Sequence, residues 1–118
     1  MRYLLLIYGD ESRWSEMSEM SEADQAAQLG KWEAYTKAIS DEGIMRGGDA
    51  LQPTAAATTV RVRDGETQVT DGPFAETREQ LGGYYMIECQ TLDQAIDAAR
   101  RIPSVDTGSV EVRPIMEF

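Results

Sequence analysis

The chain has 118 residues, 21 of them Asp or Glu and 11 Lys or Arg, which leaves a formal charge of −10 with no histidine. Such a charge excludes the basic stripe that nucleic-acid binding needs to displace counterions. The lack of histidine excludes Ser-His-Asp and Cys-His catalysis and any His-ligated metal site within one chain.

One domain of this size supports a hydrophobic core without metal or disulfide staples. The single cysteine, Cys89, cannot form an internal bridge and fits a reducing compartment. No basic-then-apolar leader opens the chain, and its apolar runs fall far short of a bilayer span. These features lead us to expect a cytoplasmic domain without a membrane partner.

In chain order, Tyr3 to Tyr8 is apolar at both parities and reads as a strand covered on both faces. Residues 10–24 carry six acids against Arg13 alone, in short Ser-Glu repeats. They read as a solvated acidic loop anchored by Trp14, Met17 and Met20. Ser21 and Asp24 form a capping pair for a helix whose apolar stripe is Leu29, Trp32, Tyr35 or Thr36, and Ile39. Glu33 and Lys37 are spaced for an ion pair, Gly30 suggests close packing on a sheet, and Gly43 suits a left-handed helix end.

Ile44 to Ala50 reads as a short strand, followed by a bend at Leu51-Gln52-Pro53. Residues 57–63 alternate, with Val60 and Val62 opposite Thr59, Arg61 and Arg63; Asp64-Gly65 then turns the chain into a return strand ending at Thr70. Asp71-Gly72-Pro73-Phe74 forms a rigid corner in which Phe74 can plug an apolar hole. A polar excursion to Leu81 and the pair Gly82-Gly83 lead into a strand from Tyr84 to Cys89. Thr91 and Gln94 form a capping box for a second long helix with Leu92, Ala95, Ile96, Ala99 and Ile102 as its buried stripe, stopped by Pro103. A last strand spans Ser109 to Arg113 and ends at Pro114.

This order predicts an α+β, ferredoxin-like (βαββαβ-type) antiparallel sheet with two helices on one face. The uncovered apolar face calls for a second copy, sheet against sheet, as a dimeric α+β barrel. In that arrangement the edge strands send Arg61, Arg63, Glu111 and Arg113 into an enclosed seam.

Arg61 and Arg113 are therefore candidate ligand-binding residues for a small anion, through two-pronged guanidinium contacts, or else neutralise neighbouring acids such as Glu111. Asp71 is a candidate hydrogen-bond acceptor or general base at the cavity mouth, with Phe74 and Tyr84 shaping it. Cys89 reads as a small core hydrophobe. No spacing of acids resembles a metal loop, and no phosphate loop is present, so neither metal nor cofactor is expected.

Four blocks carry a family resemblance: Ala57-Thr58-Thr59-Val60-Arg61; Val69 to Thr77, including Asp71-Gly72-Pro73-Phe74; Gln80-Leu81-Gly82-Gly83-Tyr84-Tyr85; and Gly108 to Pro114. In these the chain resembles the DGPF branch of the YCII-related family across nearly its whole length. The resemblance implies a ferredoxin-like domain, a dimeric barrel, a bacterial cytoplasmic setting and a genomic link to extracytoplasmic-function sigma factors. Other branches place a histidine at the start of the first helix and an aspartate in an Asp-Pro pair after the second. Here histidine is absent and Ile102 precedes Pro103, so neither half of that dyad carries over.

The expected function is a dimeric small-molecule (anion) binding protein. The alternatives are a lyase or isomerase using Asp71 as base, and a regulatory module in a sigma-factor pathway that offers its acidic 10–24 segment to a basic surface.

Overall fold

The computed structural model describes residues 1–118. Strand β1 (Arg2–Gly9) is followed by a 3-10 turn (Glu11–Arg13), a short helix α1 (Trp14–Ser18) and the long helix α2 (Glu22–Asp41). Next come β2 (Met45–Ala50), a second 3-10 turn (Thr54–Ala56), the hairpin β3 (Thr58–Arg63) and β4 (Glu66–Asp71), β5 (Gln80–Glu88), α3 (Leu92–Arg100) and β6 (Ser109–Pro114).

The main sheet has the order β2-β5-β1-β6, all neighbours antiparallel. β1 and β2 thus run parallel with β5 between them, and β5 and β6 run parallel with β1 between them. This double split βαβ arrangement is the ferredoxin-like strand order expected from the sequence. α2 connects the first parallel pair and α3 the second.

Both long helices cover the same face. Tyr3, Leu5, Ile87 and Cys89 from the sheet meet Tyr35 and Ile39 from α2 and Ala95, Ala98, Ala99 and Ile102 from α3 and its end, forming a single core of ten side chains. The helix starts are set by local chemistry. Ser21 Oγ accepts from the Asp24 N–H, and Thr91 with Gln94 forms a complete capping box. Gly43 ends α2 at φ +78°, where a side chain would be strained. The helices are also tied to each other: the Tyr35 hydroxyl donates to the Ala98 carbonyl at 2.8 Å, and Arg101 grips the Glu42 carboxylate with two bonds of 2.9 Å.

Several expectations are corrected. The acidic 10–24 segment is largely helical, because Asp10 Oδ1 caps the 3-10 turn through the Ser12 N–H and α1 follows directly. Leu29, Leu92 and Ile96 are exposed, since the core takes only the Tyr35/Ile39 side of α2 and the alanine side of α3. Gly30 faces open space rather than the sheet. Lys37 pairs with Asp41 at 2.5 Å, not with Glu33.

β5 begins four residues before Tyr84. Gly82 and Gly83 belong to the strand, and glycine suits both places because a side chain at Gly82 would press on the Trp14 ring and one at Gly83 on the Asp49 carbonyl. The hairpin is not an edge of the main sheet. It forms a separate two-stranded sheet, closed by Asp64 (φ 53°) and Gly65 (φ 77°) in the positive-φ turn that suits hairpin twist.

Candidate binding site

A cavity of about 750 Å³ lies along the helix-covered side of the sheet, under α1. α1 roofs it with Trp14 and Met17, α2 contributes Trp32 and Thr36, and the sheet contributes Ile7, Met45 and Tyr85. The α3–β6 connection closes the far end with Ser104.

Local sequence explains each wall. The β1–β5 register shift between Ile7 and Tyr8 leaves Gly82 unpaired, a bulge that gives the Trp14 indole a surface free of side chains. Tyr85 turns its hydroxyl to Thr36 Oγ1 at 2.7 Å and meets Tyr35 edge-to-face at 5.2 Å, which fixes the inner wall. Gly108 passes so close to the Tyr8 carbonyl that no side chain fits there, and this brings the α3–β6 connection against β1.

The cavity's charged residues, Asp10, Arg13, Glu16, Lys31, Asp49 and Asp106, are all exposed and form its rim. Arg13 lies 4.0 Å from Glu16. Ser12 Oγ and N–H both bond to Asp10 Oδ1 and hold its carboxyl below the usual range. Among groups that could bind metal, no cluster of three acids or thiols exists. Cys89 is buried, and burial pushes its thiol up, as suits a core side chain.

Of the candidate ligand-binding residues Arg61, Arg113, Asp71, Phe74 and Tyr84, only Tyr84 belongs to a segment bordering this cavity, and it shares the helix-free face with its sheet partner Leu6. It stands opposite Leu6 and Asp49 in the sheet and donates its hydroxyl to Asp49 at 2.8 Å, a bond that raises its pKa. Arg61 lies in the hairpin and Arg113 in the main sheet, so one chain places them in separate sheets. Arg113 is ion-paired with Glu111, as one sequence reading allowed. Arg61 donates to the Phe74 carbonyl at 3.0 Å.

The Asp71–Phe74 corner is built as backbone architecture. The Gly72 N–H bonds to the Ala57 carbonyl at 2.7 Å, Thr59 Oγ1 donates to the Gly72 carbonyl at 2.8 Å, and Gly72 sits at φ +98°. Phe74 plugs no hole in this chain; it is 77 % exposed. Asp71 ends β4 with no side-chain hydrogen bond or ion pair.

The cavity was not legible in the sequence because its walls come from segments scattered across the chain. The closest signal was the expectation that Trp14, Met17 and Met20 anchor the acidic segment.

The model of the YCII-related domain matches residues 1–118. An uncharacterised protein of Rhizobium meliloti (strain 1021) is 43 % identical over 117 residues, covering 98 % of this chain and 92 % of that protein. The unbroken match over the sheet, both long helices and the cavity walls identifies the chain as a member of the YCII-related family.

Proposed function

We propose that this protein is a homodimeric small-molecule binding domain whose ligand occupies the cavity beneath α1. The observation that carries the reading is the cavity itself: a volume in the range of ligand pockets, with a mostly apolar interior and a charged rim. Both tryptophans of the chain, Trp14 and Trp32, line it. Intrinsic fluorescence therefore reports directly on its contents. A screen of small organic compounds should find ligands that shift tryptophan emission saturably, and Trp32→Phe should lower their affinity at least severalfold. A screen in which every hit binds equally well to Trp32→Phe would contradict the assignment.

Dimerisation is inferred from surfaces left open on one chain. Leu4, Leu6, Tyr8, Tyr84 and Met86 lie on the sheet face without helices, each only partly buried. In a paired arrangement, Arg61 of one copy could approach Arg113 of the other, which is the one setting in which an anion seat between them is open. Loss of bound carboxylate in Arg61→Ala tests that second seat.

An enzymatic role for Asp71 lacks a comparable basis, because this carboxylate does not border the main cavity. A regulatory contact through Glu16, Glu19 and Glu22 stays tied to charge. It predicts a salt-sensitive partner, in keeping with the sigma-factor link and the DGPF-branch resemblance of the Asp71–Phe74 block.

A further inference from the structure

We infer that the cavity beneath α1, on the reading that it is the binding site, takes a small zwitterion: an apolar body carrying both an ammonium and a carboxylate, as in a free amino acid with a large apolar side chain. The charged end sits in a polar recess that holds Arg78 and Glu79.

The recess adjoins the cavity. The two share Asp10, Arg13 and Thr107, and the recess adds Thr77, Arg78, Glu79 and Gln80, with no apolar residue in its walls. A ligand whose body lies against Trp14 and Trp32 can therefore extend its polar end past the close of β1 into that recess.

Local bonding sorts the side chains of the recess. The uncharged ones are spent on the chain itself. Thr77 Oγ1 donates to the Glu79 carbonyl at 2.6 Å, and Thr107 Oγ1 donates to the Ser104 carbonyl at 3.4 Å. Gln80 Nε2 donates to the Thr77 carbonyl while its Oε1 accepts from the Glu11 N–H at 2.9 Å. These bonds fold residues 77–80 upon themselves and fix where Arg78 and Glu79 emerge. Each carboxylate is anchored through one oxygen, Asp10 Oδ1 by Ser12 and Glu79 Oε1 by the Ser109 hydroxyl at 2.7 Å. What is left for a ligand is charge: two guanidiniums and two carboxylates.

These charges do not neutralise one another. None of the ion pairs of the chain joins Arg13 or Arg78 to Asp10 or Glu79; Arg13 reaches Glu16, at 4.0 Å, and Arg78 has no ionic partner. A lone anion in the recess meets the acids and a lone cation meets the arginines, whereas a ligand bearing both charges satisfies both signs. The cavity interior offers no rival seat for an ionic group. Gln28, Thr36, Tyr85 and Ser104 carry no charge, and Thr36 and Tyr85 already bond to each other at 2.7 Å. The Gln28 amide can receive a neutral hydrogen-bonding group but cannot offset an ion taken out of water. Lys31 brings a single positive charge to the α2 rim and serves as the control position.

The test uses four probes with one body: L-phenylalanine, 3-phenylpropionate, 2-phenylethylammonium and the uncharged 3-phenylpropanol, titrated at neutral pH into the full-length protein by tryptophan fluorescence. L-Phenylalanine should bind at least about fivefold more tightly than either single ion. Arg78 is exposed, so Arg78→Ala leaves the fold intact. It should weaken L-phenylalanine and 3-phenylpropionate about threefold or more and leave 2-phenylethylammonium unchanged or tighter. Glu79→Gln should do the reverse, weakening L-phenylalanine and 2-phenylethylammonium, and Lys31→Ala should leave L-phenylalanine unchanged.

If a single ion binds as tightly as L-phenylalanine, or only 3-phenylpropanol binds, the zwitterion is overturned and the cavity reading stands. If L-phenylalanine is preferred but Arg78→Ala keeps its full affinity, or Lys31→Ala loses it, the recess is overturned as the seat of the charged end. If none of the four probes perturbs the tryptophans, the cavity reading falls and this inference with it.

Discussion

Tyr35 links burial, hydrogen bonding and titration in one side chain. Ala98 lies in the last turn of α3, where carbonyls lack helical partners, and the Tyr35 hydroxyl from α2 supplies one. Tyr35→Phe removes that donor and should cost about 1–2 kcal/mol in urea unfolding at neutral pH. Burial raises the folded-state pKa of Tyr35 above the tyrosine range. Because the folded pKa is the higher one, the contribution is complete below about pH 10, where unfolded tyrosine begins to ionise, and is lost as pH rises toward the folded value. Stability of the parent should fall more steeply above about pH 10 than that of Tyr35→Phe. Parallel slopes in the two proteins would show that Tyr35 is not the responsible group.

Two glycines separate packing from propensity. At Gly108 an added methyl would strike the Tyr8 carbonyl, so Gly108→Ala should destabilise by about 1–3 kcal/mol as β1 and β6 shift apart. At Gly30, inside α2 and facing open space, Ala should stabilise by up to about 1 kcal/mol. Chemical denaturation of both variants checks the opposite signs.

At the scale of elements, Glu11 ties three segments together. Its carboxylate accepts from the Thr54 N–H at 2.7 Å and from Thr54 Oγ1 at 2.6 Å, and its own N–H donates to Gln80 Oε1 at 2.9 Å. The turn before the hairpin and the start of β5 are thereby joined to the segment leading into α1. Glu11→Gln weakens the carboxylate's two bonds, and amide exchange at Thr54 should quicken about fivefold to thirtyfold, the equivalent of roughly 1–2 kcal/mol, with exchange in the central strands unchanged. Unaltered exchange at Thr54 would show that Glu11 does not hold this turn.

Elements governed by local chemistry were legible in the sequence. The Thr91/Gln94 box, the Ser21 cap and the Asp64-Gly65 turn each stand where their residue types required. Legibility failed where distant packing decides. The Ser-Glu repeats hid α1 because their polar pattern resembles a loop, whereas its helical place depends on Trp14 meeting Gly82. Gly82 and Gly83 look like strand breakers until their cross-strand neighbours are known. For the site, Trp14, Met17 and Met20, read from sequence as anchors of the acidic segment, are the residues that reach the cavity.

One chain on its own is extended. Its radius of gyration is 16.4 Å, against about 13.5 Å for a compact chain of this length, and it measures 48 × 45 × 19 Å. The hairpin accounts for part of the excess, since an isolated two-stranded ribbon is marginal in water and this one exposes Val60, Val62 and Val69. Those valines and Phe74 lie outside the core, and the helix-free sheet face carries Leu4, Leu6 and Met86. On the proposed dimer reading, a second copy would cover both surfaces by closed two-fold pairing. Charged replacements at Val60 and Leu6 should therefore weaken assembly while leaving far-UV circular dichroism unchanged.

The most direct test of the account is equilibrium sedimentation of the purified chain at micromolar concentration. A two-fold dimer predicts twice the chain mass of 13.1 kDa, falling to a single mass in the Leu6→Lys variant. A parent that sediments at 13.1 kDa across the concentration range would contradict it.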